Sequence, residues 1–161
     1  MNSRLTVKQI NGDCQEILRC FYIDSEFLDP IDEIIEKIAK NTKEPISSPF
    51  GVYRDDDIVS FFTLESSNPN VQMIDDFVGS YWLDSFFITK HYRGRGLAKT
   101  IFLEIINNVK VYFPHATSLN LTVNFRNKIA KKIYQDCGVL DTGMIYRGGP
   151  AGPQHIYSIS I

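Results

Sequence analysis

The sequence predicts a mixed α/β domain with one sheet and helices packed on it. Three observations carry that expectation. Strand-like and helix-like segments follow one another in the order β-α-α-β-β-β-α-β-α-β-β, too mixed for an all-helical or all-strand fold. The 161 residues suit one domain and suffice to bury a real core. No internal repeat, low-complexity tract or obvious linker divides the chain, so a single domain over 1–161 is expected.

The elements follow from local pattern. "RLTVKQI" (Arg4–Ile10) alternates and reads as a strand. "DCQEILRCFY" (Asp13–Tyr22) reads as a helix with Asp13 as N-cap. "DPIDEIIEKIAKN" (Asp29–Asn41) is a clearer helix: Asp29 caps it, Pro30 takes the first turn, and Ile31, Ile34, Ile35 and Ile38 fall at helical spacing. "EPISSPFG" breaks the chain, and "FGVYRDDDIVSFFTLE" reads as a hairpin turning at Asp55-Asp56-Asp57. "SSNPNVQMIDDFVGS" reads as a long loop. "YWLDSFFIT" (Tyr81–Thr89) is a strand. Gly96–Phe113 is a helix with Ala98, Ile101, Phe102, Ile105, Val109 and Tyr112 on one face, stopped by Pro114. "SLNLTV" (Ser118–Val123) is a strand, and Asn127–Gly138 a helix closed by its glycine. "VLDTGMIYR" and "QHIYSISI" are final strands joined by the turn-forming "GGPAGP".

Composition narrows the function. A hydrophobic content of 43% and a charged content of 22% are those of a globular protein. No apolar run reaches membrane-spanning length, and the first 15 residues lack the apolar core of a signal peptide. Cys14, Cys20 and Cys137 have no metal-ligand spacing and read as free thiols of a cytoplasmic protein, with no metal site expected. The net charge of −2 hides an asymmetry: residues 1–90 hold 16 acidic and 8 basic side chains, residues 91–161 hold 3 and 9. The second half is suited to meet an anion and the first a cation, although charge runs are also common as plain solvated surface.

The stretch "FFITKHYRGRGLAKTIFLEI" joins strand, basic glycine turn and helix without a gap. A helix start exposes backbone N–H groups and partial positive charge, glycine lets the backbone approach a ligand, and arginine adds fixed charge. The combination suits a pyrophosphate, although a plain strand-to-helix turn with exposed arginines would look the same. It is no Walker loop, since no Gly-Lys-Ser/Thr follows. It is no ordinary dinucleotide turn, since no acidic residue stands about 20 positions on at a strand end. A nucleic-acid role fits poorly with a turn between regular elements in a mildly acidic protein. A second pattern lies in Asn127-x-x-Ala130-x-x-x-Tyr134, three residues on one helix face. Asn127 offers an amide and Tyr134 a phenol; equally, Asn127 could be an N-cap and Tyr134 packing.

Together these motifs resemble the GCN5-related N-acetyltransferase superfamily. Its Arg/Gln-x-x-Gly-x-Gly/Ala motif is met by Arg93-Gly94-Arg95-Gly96-Leu97-Ala98, and its later Asn-x-x-Ala-x-x-x-Tyr by Asn127, Ala130 and Tyr134. The resemblance covers roughly residues 50–140. It implies a mostly antiparallel sheet that splays between its fourth and fifth strands, flanked by about four helices. It also implies acetyl-CoA as co-substrate: pyrophosphate on the amides of Gly94 to Lys99, pantetheine along Phe86, Phe87 and Ile88, and the amide of Phe87 or Ile88 as oxyanion donor. Asn127 would bond the pantetheine, and Tyr134 would protonate the departing thiolate. "WLDSFFITKHYRGRGLAK" and "PFGVYRDDDIVSFF" further resemble polyamine acetyltransferases of the spermidine/spermine type.

A protonated amine is a poor nucleophile, with a pKa of roughly 10, so a group must accept its proton. Asp84 and Glu65 are the candidates; Asp84 could instead bind the substrate cation, and Glu65 could be a solvated strand end. Trp82 and Tyr81 could line the acceptor pocket or be core, His91 could be plain surface, and Cys137 reads as core. Asp55, Asp56, Asp57, Asp75 and Asp76 could add negative charge at an amine entrance. The expected function is acetyl transfer from acetyl-CoA to a primary amine by direct attack, with a polyamine such as spermidine or spermine as acceptor. The partners expected are this small amine and a second copy of the chain in a homodimer formed through the C-terminal strands, with no nucleic acid and no membrane. The alternatives are another small amine, a protein amine, or a non-catalytic acyl-CoA-binding module.

Overall fold

The computed structural model describes residues 4–11, 14–19, 21, 27–28, 30–39, 47–66 and 79–161, except the side chains of Glu16 and Lys37. Asp13, Cys20, Asp29, Asp75 and Asp76 lie outside the described residues. The order of elements is β1 (Leu5–Gln9), α1 (Gln15–Arg19), α2 (Ile31–Ala39), β2 (Ser47–Arg54), β3 (Asp57–Glu65), β4 (Ser80–Ile88), α3 (Ala98–Tyr112), β5 (Ser118–Asn124), α4 (Lys128–Asp136), β6 (Leu140–Tyr146) and β7 (Gln154–Ser160). One seven-stranded sheet runs β1-β2-β3-β4-β5-β7-β6. Every pair is antiparallel except β4 with β5.

The helices cover both faces. On one, Ile101, Phe102, Ile105 and Val109 of α3 pack on Val7, Phe50, Val52, Phe62, Leu64, Leu83, Leu119 and Leu121. Each such side chain contributes about 1.5–3 kcal/mol of burial. On the other, Leu18 of α1 and Ile34 of α2 pack on Phe61 and Phe87. The spacing of isoleucines read along α2 is thus its buried stripe, and Pro30 sits at its start, accepting from Ile34 N at 3.1 Å.

Two local expectations need correction. "EPISSPFG" does not break the chain throughout, because Ser47, Ser48 and Pro49 already belong to β2. Pro49 is tolerated because it lies where the β1 ladder ends: its carbonyl accepts from Ile10 N, and its missing N–H would face Ile10, one residue past the end of β1. The second correction concerns β4, where strict alternation fails. Phe61 opposes Phe87 and Thr63 opposes Asp84, so Phe62 alone faces both Ser85 and Phe86. This is a β-bulge, and Ser85 takes φ 50° to make it. Tyr81 and Leu83 before the bulge and Phe86 and Ile88 after it all pack toward α3. Phe87 turns to the opposite face. Two β3 side chains bracket the kink: Thr63 Oγ1 donates to the Asp84 carbonyl at 3.2 Å and Ser60 Oγ to the Phe87 carbonyl at 2.9 Å.

Candidate active site

The parallel pairing of β4 with β5 lasts only from Ser80–Leu83 against Ser118–Leu121. Past Leu83 the bulge carries β4 away, and a cavity of about 550 Å³ opens between the strands. It runs from Glu65 and Trp82 at one end to Arg93, Gly94 and Ala98 at the other. An open strand edge lies along it. Thr89 N donates to Val59 O at 2.9 Å, and the Phe87 carbonyl is taken from the β3 side by Ser60. Backbone groups alternate along a strand, so Ile88 N–H faces the cavity while Phe87 N–H faces β3. Arg93 Nε donates to the Ile88 carbonyl at 2.8 Å, which fixes the same side. Of the two amides expected for an oxyanion, Ile88 has the usable direction.

A single 3-10 turn, Lys90–Tyr92, intervenes between β4 and the glycine turn. Gly94 and Gly96 have φ 69° and 71°, a region costly for residues with a Cβ. Neither would place a Cβ within 4 Å of other atoms, so the dihedral rather than crowding requires glycine. Leu97 precedes α3 with no side-chain cap, and the first turn holds no acid. Its first N–H groups and partial positive charge are therefore met by no side-chain cap and no acid of the helix's own first turn. This donor set fits a pyrophosphate, and Gly94 to Lys99 are the residues that would hold it. Arg95 and Arg54 both sit over the Tyr92 ring, each 5.7 Å from its centroid, and Tyr92 Oη donates to Asp57 at 3.1 Å. The β2–β3 turn thus docks beside the glycine turn. Asp55, Asp56 and Asp57 stand at the opposite end of β3 from Glu65 and do not line the cavity, which corrects their expected place at an amine entrance.

Asn127 caps α4: its Oδ1 accepts from Ala130 N at 3.2 Å. It also lines the cavity with Ala130, Ile133 and Tyr134, so capping and facing a ligand are compatible here. The Tyr134 ring lies 4.9 Å from Phe102. Burial first, then the charges of Asp84 and Cys137, hold its phenol above the ordinary 10.0, so it stays protonated at neutral pH. Asp84 Oδ1 accepts from Ser85 N at 2.8 Å, within the bulge.

Glu65 departs from the solvated strand end considered for it, since it is only 2% exposed. It pairs in register with Trp82, and Asp84 pairs with Thr63 two residues along β3. Glu65, Trp82 and Asp84 therefore share the sheet face opposite α3, with the two carboxylates on diagonal positions about 7–8 Å apart at Cα. Trp82 is buried against Ile156 and lines the cavity, whereas Tyr81 stacks on Phe113 at 4.2 Å on the α3 side. His91 is exposed and edge-on to Tyr92. Burial pushes the Cys137 thiol up from 9.0, which suits packing rather than nucleophilic chemistry. The β6–β7 segment was missed as a site element: Tyr146, Gly149, Pro150, Ala151 and Gln154 form a wall of the cavity. Its one sequence signal is the glycine pair just after an aromatic strand residue. Among the described residues no group of three or more His, Cys, Asp or Glu could hold a metal, and no helix is long and apolar enough to cross a membrane.

Known proteins give this cleft a context. Residues 12–139 match the Acetyltransferase (GNAT) family. An uncharacterized N-acetyltransferase, YbbJ, of Bacillus subtilis (strain 168) is 34% identical over 108 residues, 67% of each chain. A probable spermine N(1)-acetyltransferase of Bacillus subtilis subsp. natto is 32% identical over 90 residues, 56% of this chain and 57% of the relative. The spermidine N-acetyltransferase of Vibrio cholerae, solved with CoA and spermine, superposes with a TM-score of 0.72 at 17% identity, covering 99% of this chain and 96% of that one. An aminoglycoside N(6')acetyltransferase of Legionella pneumophila gives 0.76 at 18% identity, covering 99% and 94%. These structural likenesses show the fold. The protein is an acyltransferase, and the reaction it serves is acetyl transfer. It belongs to the Acetyltransferase (GNAT) family, whose members draw the acetyl group from acetyl-CoA.

Proposed function

We propose that this acetyltransferase, a single N-acetyltransferase domain over 1–161, transfers acetyl from acetyl-CoA to a primary amine of a polyamine, by direct attack in the splay between β4 and β5. The observation that carries the reading is the pair of carboxylates, Asp84 and Glu65, on one sheet face beside Trp82 in the cavity, with the Tyr134 phenol also lining it. Acetyl-CoA supplies an activated acyl group and a thiol leaving group; the chain's residues do the rest. The amides of Gly94 to Lys99, with Arg93 and Arg95 nearby, hold the pyrophosphate. The open edge of Phe86 and Ile88 pairs with the pantetheine arm, which Asn127 also faces. Ile88 N–H stabilises negative charge on the carbonyl oxygen during attack.

Asp84 and Glu65 attract a cationic acceptor and remove the proton that blocks its lone pair, directly or through water. Trp82 stands directly opposite Glu65 and two residues before Asp84 on the same face, and an indole ring face suits an ammonium group. Tyr134, kept protonated, gives its proton to the thiolate as the carbon–sulfur bond breaks. A cation bound at Asp84 also offsets one of the charges that hold the Tyr134 proton, which makes the phenol a better acid only when the acceptor is present. The relative named as a spermine acetyltransferase supports the same acceptor class. We read the outer edge of β6 as the surface by which a second copy would pair.

The test is thiol release from acetyl-CoA with spermidine, spermine, a short diamine, a lysine peptide and an aminoglycoside. Release with the polyamines, and little with the others, is expected. Release with the peptide or aminoglycoside alone would keep acetyl transfer and overturn the polyamine acceptor. No release with any amine, despite tight acetyl-CoA binding, would favour a binding module.

A further inference from the structure

One row of residues crosses the sheet on the face opposite α3. Ser47 of β2 pairs with Glu65 of β3, Glu65 with Trp82 of β4, Trp82 with Asn120 of β5, and Asn120 with Ser158 of β7. Leu119 and Leu121, on either side of Asn120, pack toward α3, so Asn120 points the other way. One row back on the same face, the hydroxyls of Ser80 and Ser118 bond each other at 2.7 Å. Asn120 is 0% exposed, and among the described residues neither its Nδ2 nor its Oδ1 has a hydrogen-bond partner. A carboxamide offers two donor hydrogens and an acceptor oxygen. Leaving all of them unmade in the interior costs stability that a leucine of similar shape would not cost.

Trp82 covers this group. Its indole packs on Ile156 of β7, and β5 runs between β4 and β7. Trp82 stands opposite Asn120, and Ile156 opposite Thr122. A ring that reaches from Trp82 to Ile156 therefore crosses β5 over Asn120 and Thr122. Trp82 and Thr122 line the cavity, whereas Asn120 lies beneath the ring and outside it. Glu65, one of the two carboxylates assigned to the acceptor, stands on the other side of Trp82. Glu65 and Asn120 are two strand spacings apart, about 10 Å at Cα. With side chains reaching inward, a short carbon chain between two amine nitrogens covers that span.

We infer that Asn120 is the floor of a closed extension of the acceptor site, covered by Trp82, and that its carboxamide takes the acceptor's second nitrogen when the indole turns aside. The first nitrogen stays with Asp84 and Glu65, where it is acetylated. The second, an ammonium, donates to Asn120 Oδ1 and lies against the displaced ring. The Ser80–Ser118 hydroxyl pair supplies further uncharged acceptors one row back. Asn120, Ser80, Ser118 and Ser158 carry no charge, so the extension reads the second nitrogen by position and hydrogen bonding rather than by an ion pair. The inference rests on the cavity being the site of an amine acceptor, as proposed above.

Trp82 is the chain's single tryptophan, so its emission reports this ring alone. The test uses the full chain saturated with CoA and compares spermidine with butylamine, which has no second nitrogen. Spermidine should shift the emission to longer wavelength and make it more quenchable by acrylamide; butylamine should do neither. Asn120→Leu fills the same space without polar atoms. By calorimetry it should weaken spermidine binding about tenfold, the scale of a lost hydrogen bond to a charged group, with butylamine and CoA affinities within about twofold of wild type. It should also abolish the emission shift. If Asn120→Leu does not fold, the wild-type contrast between the two amines decides alone. Failure of spermidine to bind wild-type protein would sink the polyamine acceptor and this inference with it. Spermidine binding with unchanged Trp82 emission, or with the same affinity change for both amines in Asn120→Leu, would leave that acceptor standing and overturn the inference; the carboxamide would then hold a buried water only.

Discussion

Replacing Tyr134 by phenylalanine removes one oxygen and leaves a ring that can keep its packing 4.9 Å from Phe102. Among the described residues no protein group takes the Tyr134 hydroxyl, so no buried partner is orphaned and stability should move by less than about 1 kcal/mol. For a chain of this size that is about 2–4 °C in the melting midpoint. Catalysis should move far more. Loss of a positioned general acid costs about 10²–10⁴ in kcat, roughly 3–5 kcal/mol of barrier. The deficit should depend on pH. A thiol with a pKa of about 8.5 leaves as thiolate without help once the pH exceeds that value, so the wild-type to variant ratio should shrink from pH 7 to pH 9.5. The wild-type rate should climb over that range as the amine loses its proton. It should show no falling limb below pH 10, because the Tyr134 proton is held above the ordinary phenol value of 10.0. The assay is stopped thiol release with saturating acetyl-CoA, alongside calorimetric acetyl-CoA affinity. A Phe variant with unchanged kcat, or with a deficit constant across pH, would refute the acid role of Tyr134.

Other perturbations separate the parts of the site. Asp84→Asn should raise the acceptor KM ten- to a hundredfold, the scale of a lost hydrogen bond to a charged group, and leave acetyl-CoA affinity intact; unchanged acceptor kinetics would make Asp84 a bulge residue only. Gly96→Ala, at φ 71°, should cost about 1–2 kcal/mol of local strain and weaken acetyl-CoA binding about tenfold by calorimetry, with acceptor binding spared. Phe87→Ala removes a ring 5% exposed and stacked 5.4 Å from Phe61, and should lower stability by about 3–5 kcal/mol in denaturant unfolding.

The legible parts of this protein were those set by local periodicity. The α3 stripe of Ile101, Phe102, Ile105 and Val109 and the α2 isoleucines repeat every three or four residues; the first is buried, and in the second Ile34 is buried with Ile31, Ile35 and Ile38 packed partly buried around it. The glycine turn was legible because glycine adopts φ near +70°, as at Gly94 and Gly96, without the steric cost that a Cβ brings. The bulge was not, because one inserted residue in β4 leaves no mark in composition; Ser85 is an ordinary strand residue until its partner register is known. The burial of Glu65 depends on cross-strand neighbours far away in sequence. The place of Asp55 to Asp57 depends on which end of β3 carries the cavity. The place of Tyr146 and Gln154 along the cavity depends on the two strands that "GGPAGP" joins being paired.

Direct attack on acetyl-CoA by a polyamine is tested by initial rates of thiol release over a matrix of acetyl-CoA and spermidine concentrations. Direct attack in the splay predicts release that saturates in both substrates, with double-reciprocal lines that intersect. Parallel lines would mean an acyl-enzyme and contradict direct attack, and no release with spermidine would contradict the polyamine acceptor.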